Sequence, residues 1–143
     1  MKAKKLIIVT VISFIAVSVA AGWYLYNKGP KNVLNSNGIE VQAANLYKSY
    51  ISDSSTAQKK FGEQVVEVAG VVKKVEENTQ KQQVILLQTD EDGGSVNCTM
   101  EEKNIVAAGN KVVLKGICTG IGEGDEDLGL KPDVYLIRAY LIK

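Results

Sequence analysis

The chain has 143 residues, 17 of them basic and 16 acidic, a net charge of +1 and no histidine. The missing imidazole removes the commonest metal ligand and general base, and with it Ser-His-Asp and Cys-His catalysis. The near-zero net charge conceals an asymmetry. Lys2, Lys4, Lys5, Lys28 and Lys31 all fall in the first 31 residues, which hold no acid, so the remainder carries 12 basic against 16 acidic residues, a net −4. That is the wrong sign for neutralising phosphates. Roughly 110 residues suffice for one domain and one core.

Met1-Lys2-Ala3-Lys4-Lys5 is a basic head, followed from Leu6 to Tyr26 by 21 residues without a charge. About 20 apolar residues span a hydrocarbon core, and the basic flank stays cytoplasmic. Residues 1–26 are therefore expected to be a signal-anchor, with the rest outside the cytoplasm. A cleaved signal peptide is the alternative, since Ser18-Val19-Ala20 and Ala20-Ala21-Gly22 both satisfy a small-x-small rule. Retention is favoured by the length of the run and by Trp23-Tyr24-Leu25-Tyr26, aromatics suited to the membrane interface.

Residues 27–38 read as a solvated linker, rich in Asn, Gly, Ser and Lys. Ile39-Glu40-Val41 looks extended. Ala43, Leu46, Tyr47, Tyr50 and Ile51 recur at helical spacing. Asp53-Ser54-Ser55 then interrupts with capping side chains, predicting two short helices over 42–51 and 54–62, stopped by Gly62. After Gly62 the period becomes two. Strands are predicted over 64–77, 84–89, 96–100, 110–121 and 134–142, with a short helix in 101–109. Mid-strand glycines suit sharp coiling. The pattern is mainly β with short helices: five strands of a Greek-key OB barrel over 39–143, preceded by one or two short helices.

Tyr47–Val75, Val96–Met100 and especially Lys115-Gly116-Ile117-Cys118-Thr119-Gly120 resemble the tRNA_anti-like family. Those are exported or membrane-anchored bacterial OB-fold proteins, mostly of unassigned function. The resemblance implies a barrel on the outer side of the bacterial cytoplasmic membrane and no demonstrated RNA role. The loop Ile121–Val134 is longer and more acidic than the short turn the family leads one to expect.

Cys98 and Cys118 both point inward by strand parity. Two thiols without histidine or a C-x-x-C pair make a poor metal or redox site, which leaves a disulfide or two buried free thiols. Glu123, Asp125, Glu126, Asp127 and Asp133 could offer oxygens to calcium, but the spacing departs from the calcium-binding loop. A solvated loop is the simpler reading there, and also for Asp90-Glu91-Asp92-Gly93-Gly94. Nucleic-acid OB domains stack bases on aromatics of strands two and three. Val84–Met100 contains no aromatic, Lys or Arg, so nucleic acid is disfavoured. Tyr47, Tyr50 and Phe61 are assigned to helix–barrel packing. No catalytic, cofactor or metal residue is assigned. The expected function is a membrane-anchored, non-enzymatic module for a protein, peptide or small envelope ligand. The alternative is a secreted domain for nucleic acid or oligosaccharide.

Overall fold

The computed structural model describes residues 2–27, 32–90 and 94–143, with only the backbone for residues 2 and 3. The chain divides into two compact units, Met1–Lys31 and Asn32–Lys143.

The first unit is one helix, α1 (Lys2–Asn27). Its segment Lys4–Asn27 is long and apolar enough to cross a membrane, and none of it is buried against protein. The hydroxyls of Thr10 and Ser18 donate to the carbonyls of Leu6 and Phe14, each at 2.9 Å. Both hydroxyls are thus satisfied within the helix, as an apolar surrounding requires.

The second unit contains β1 (Ile39–Gln42), α2 (Ala43–Ser52), α3 (Ser54–Phe61), β2 (Val65–Glu77), β3 (Gln83–Gln88), β4 (Ser95–Met100), β5 (Lys111–Ile121) and β6 (Val134–Leu141). The sheet runs β1-β2-β3-β4-β6-β5 and closes through a further β2–β5 pairing. Closure works because β2 is long enough to serve twice. Val65–Val71 pair with β5, and Val72–Glu77 pair with β3 after a register shift at Val72/Lys74. β4 and β6 run parallel and the other barrel pairs antiparallel. This is the five-stranded OB-type order, with β1 added in parallel beside the first half of β2. Gly70 sits where α2 crosses that strand, and a Cβ there would meet the Ala43 Cβ at 3.0 Å.

Alternating residues of the strands fill the barrel. Val66, Val68, Val72, Ile85, Leu87, Val96, Leu114 and Leu136 are all fully buried. The helix pair is divided by Asp53, whose carboxylate accepts from the Thr56 amide at 3.1 Å and the Thr56 hydroxyl at 2.7 Å. Those two bonds hold the Asp53 carboxyl below its ordinary value. Leu46, Tyr47, Tyr50, Ala57 and Phe61 are driven into the core, whereas Ile51, expected on the same face, stays half-exposed. The helices close the barrel end from which the 122–133 loop emerges. There the Tyr47 hydroxyl donates to the Pro132 carbonyl at 3.0 Å.

Two expectations change. The helix predicted over 101–109 is absent, and the segment is irregular. Its backbone polar groups find partners elsewhere: the Glu101 amide on the Ala139 carbonyl, the Asn104 amide on the Gln83 side chain, the Gly109 amide on the Val72 carbonyl. These bonds satisfy the backbone of the segment without a helix. The linker also ends sooner than expected. Residues 28–31 lie outside the described residues, and from Asn32 the chain belongs to the domain. Val33 is buried, and the Lys115 ammonium donates to the Leu34 carbonyl at 3.4 Å.

Candidate functional site

The outer surface of β3 and β4, continued onto β6, is the face that OB barrels commonly present to ligands. Pleating turns Leu86 and Gln88 of β3 and Asn97 and Thr99 of β4 outward, while Ile85, Leu87, Val96 and Cys98 fill the interior. A polar network ties the face together across strands. Lys73 of β2 donates to the Ser95 hydroxyl at 3.4 Å, and the Ser95 amide donates to Asp133 Oδ1 at 2.9 Å. Burial pushes the Asp133 carboxyl up, opposed by the hydrogen bonds from Ser95 and Asn97 and by the charge of Lys73. Asp133, read in the sequence as a peripheral member of the acidic loop, is instead the joint between that loop and β4.

β6 contributes what the sequence reading of this face missed. It lies between β4 and β5, with Tyr135 opposite Asn97 and Ile137 opposite Ile117. Tyr135 and Ile137 are 39% and 41% exposed. Both ladders shift register around Ile137, and Arg138 adopts a left-handed φ of 52°. The extra residue turns Ile137 and Arg138 to the surface side by side. The signal was available in the topology: strand five of an OB barrel runs beside strand three, so alternate residues of 134–141 border the face.

The acidic loop is a structured hairpin. Asp125 and Leu130 exchange backbone hydrogen bonds of 2.8 and 2.7 Å, and Gly129 makes the turn at φ 65°. Glu123, Asp125, Glu126 and Asp127 are exposed around it. Among the described residues no three His, Cys, Asp or Glu side chains gather into a possible metal site. In the other acidic turn, Glu91, Asp92 and Gly93 lie outside the described residues.

Cys98 and Cys118 are fully buried free thiols. They sit on β4 and β5 with β6 between them, and Leu136 is the register partner of both. Two strands flanking a third are about 9.6 Å apart, against a Cα limit near 7 Å for a disulfide. Cys118 Sγ is 3.4 Å from the Tyr50 hydroxyl, which also donates to Gln58 Oε1 at 3.1 Å. Either the hydroxyl or the thiol can donate in the Tyr50–Cys118 contact. Burial pushes both thiols and the Tyr50 phenol up, so neither sulfur is poised as a nucleophile. Thiol titration of residues 32–143 without reductant is expected to give no reactive group in the native state and two in denaturant. A pair unreactive in denaturant would establish the bond instead.

The tRNA_anti-like family matches residues 1–128, most of the chain. The chain belongs to this family. The tRNA_anti-like match takes in α1 and every element through β5, and stops inside the acidic hairpin, before β6. Among solved structures, one described as an aspartyl-tRNA synthetase from Leishmania major Friedlin is similar at 8% identity and a TM-score of 0.44, over 80% of this chain and 22% of that one. A search of the curated proteins finds no match.

Proposed function

We propose that the protein is a membrane-anchored, non-enzymatic OB-fold binding module, held on the outer side of the bacterial cytoplasmic membrane, for a protein, peptide or small envelope ligand. The observation that carries the reading is α1: a helix long and apolar enough to span a bilayer, unburied by protein, behind a basic head and ahead of a barrel of net −4. The positive flank argues for a cytoplasmic amino terminus. A non-enzymatic role is supported by the site itself. Lys73, Ser95 and Asp133 are committed to one another at the β3–β4–β6 face, and both thiols are buried.

Topology tests the anchor. A phosphatase fused after Lys143 should be active and one fused after Lys5 inactive, and the reverse would overturn the orientation. Membrane fractionation with intact mass of the mature chain separates retention from cleavage after Ala20 or Gly22.

Electrostatics argue against a nucleic-acid ligand even with Tyr135 on the face, because residues 32–143 carry a net −4 and Val84–Met100 hold no Lys or Arg. Titration with single-stranded RNA at about 50 mM salt should give no salt-dependent binding. Micromolar affinity that collapses with added salt would refute this.

A further inference from the structure

The segment Asn32–Gly38 is held in its first half and loose in its second. The Asn32 side chain accepts from the Asn35 amide at 3.4 Å, its carbonyl accepts from the Ser36 amide at 3.1 Å, and Val33 is buried. Asn37 and Gly38 follow without regular structure, just ahead of β1, and Asn37 is exposed. Among the described residues nothing hydrogen-bonds to the Asn37 side chain or to the Gly38 amide. Asn37 is also the only one of the chain's nine asparagines that precedes glycine. The glycine has a packing reason. A Cβ at position 38 would meet Glu67 Cγ at 2.6 Å, and Glu67 is pinned by Lys115 at 3.2 Å. With no Cβ, nothing on residue 38 shields its nitrogen from the neighbouring side chain. Other asparagines are restrained. The Ser36 amide after Asn35 is already bonded, and the side chains of Asn78 and Asn110 accept from the amides of Gln82 and Ala107.

We infer that Asn37 is a site of spontaneous covalent modification, at which the Gly38 amide and water convert the asparagine to aspartate and isoaspartate. The Gly38 nitrogen attacks Asn37 Cγ and a C–N bond forms. The Cγ–Nδ2 bond breaks, and ammonia leaves with the proton that the Gly38 amide gives up. The product is a cyclic imide, which water opens. Addition of water at Cγ breaks the new bond and leaves aspartate. Addition at the Asn37 main-chain carbonyl breaks the original peptide bond and leaves isoaspartate, whose main chain runs through Cβ and Cγ. Either product carries a carboxylate where the chain approaches Glu67, and the isoaspartate lengthens the main chain by one carbon immediately ahead of β1. The site is independent of the binding-module reading.

The test incubates the full chain, in uncharged micelles and mildly alkaline buffer, beside a synthetic peptide of residues 34–41. Mass spectrometry of a digest should find the fragment holding Asn37 heavier by the difference between water and ammonia, before Asn32 or Asn35 changes. An isoaspartyl carboxyl methyltransferase supplied with labelled S-adenosylmethionine should label the incubated wild type. It should not label Asn37→Gln, whose longer side chain cannot close the same ring. Position 37 is exposed, so this variant should fold as the wild type does. Conversion in the folded chain should run within about tenfold of the peptide's rate, because an unbonded surface segment opens at little cost. An intact Asn37 once the peptide has converted, a mass gain at another asparagine first, or label retained in Asn37→Gln would each overturn the inference.

Discussion

Leu136→Ala is expected to lower the stability of the domain by about 3 kcal/mol, within the ~2–5 kcal/mol range for emptying a buried leucine site. Leu136 is fully buried and is the register partner of both Cys98 and Cys118, so its isobutyl group fills the barrel between them. β6 is hydrogen-bonded on both sides and cannot slide inward to fill the space. The cost should therefore stay above the low end of that range. Urea unfolding of residues 32–143 followed by circular dichroism measures it. Ile137→Ala is the control: it lies on the same strand but faces outward, and should cost under about 1 kcal/mol. Equal costs at the two positions would mean that the inward and outward residues of β6 are wrongly assigned. The variant carries a second readout. With Leu136 shortened, the two thiols lose the group that separates them, and their native-state reaction with a small thiol reagent should accelerate while Cys98 and Cys118 stay unbonded.

Much of the fold was legible because its signals are local. The spacing of Val66, Val68, Val72, Val96 and Cys98 has a period of two and each of these residues is buried. Asp53 caps as its position between two helical runs implies, and the helices end at Ser52 and Phe61, within a residue of the boundaries read from the sequence. What was not legible depends on which strands become neighbours. Tyr135 joins the β4 surface only because β6 runs parallel beside β4, a pairing that brings together residues far apart in the chain. Helical composition in 101–109 was misleading for a related reason. Its amides are taken by Ala139, Gln83 and Val72, none of which is close in sequence. The acidic loop read as a plain solvated loop because charge and glycine dominate its composition, whereas the cross-bridge of Asp125 and Leu130 organises it. Val33 shows the same limit. In an Asn- and Ser-rich stretch nothing marks one valine as core, and it is buried in a segment that Lys115 ties to the barrel.

That lysine supports the second large effect. Lys115 faces Glu67 in the β2–β5 register, pairs with it at 3.2 Å and is only 9% exposed. Its ammonium also reaches the Leu34 carbonyl. Removing one partner of a buried pair costs about 3–5 kcal/mol, because the other charge is left unpaired away from water. The Glu67 side chain retains 22% exposure, so water recovers part of that penalty, and Lys115→Met is expected to cost about 2 kcal/mol. Glu67→Leu together with Lys115→Met should recover most of the loss, since two apolar side chains fit a cross-strand pair without an orphaned charge. The two changes should then be strongly non-additive. The Leu34 carbonyl loses its donor in either case. Cleavage after Leu34 by a protease specific for large apolar residues should therefore quicken in the double variant even where stability is restored. Restored stability with unchanged cleavage would show that Val33 alone holds Asn32–Gly38 to the barrel, and a double variant no better than Lys115→Met would show that the ion pair contributes nothing of its own.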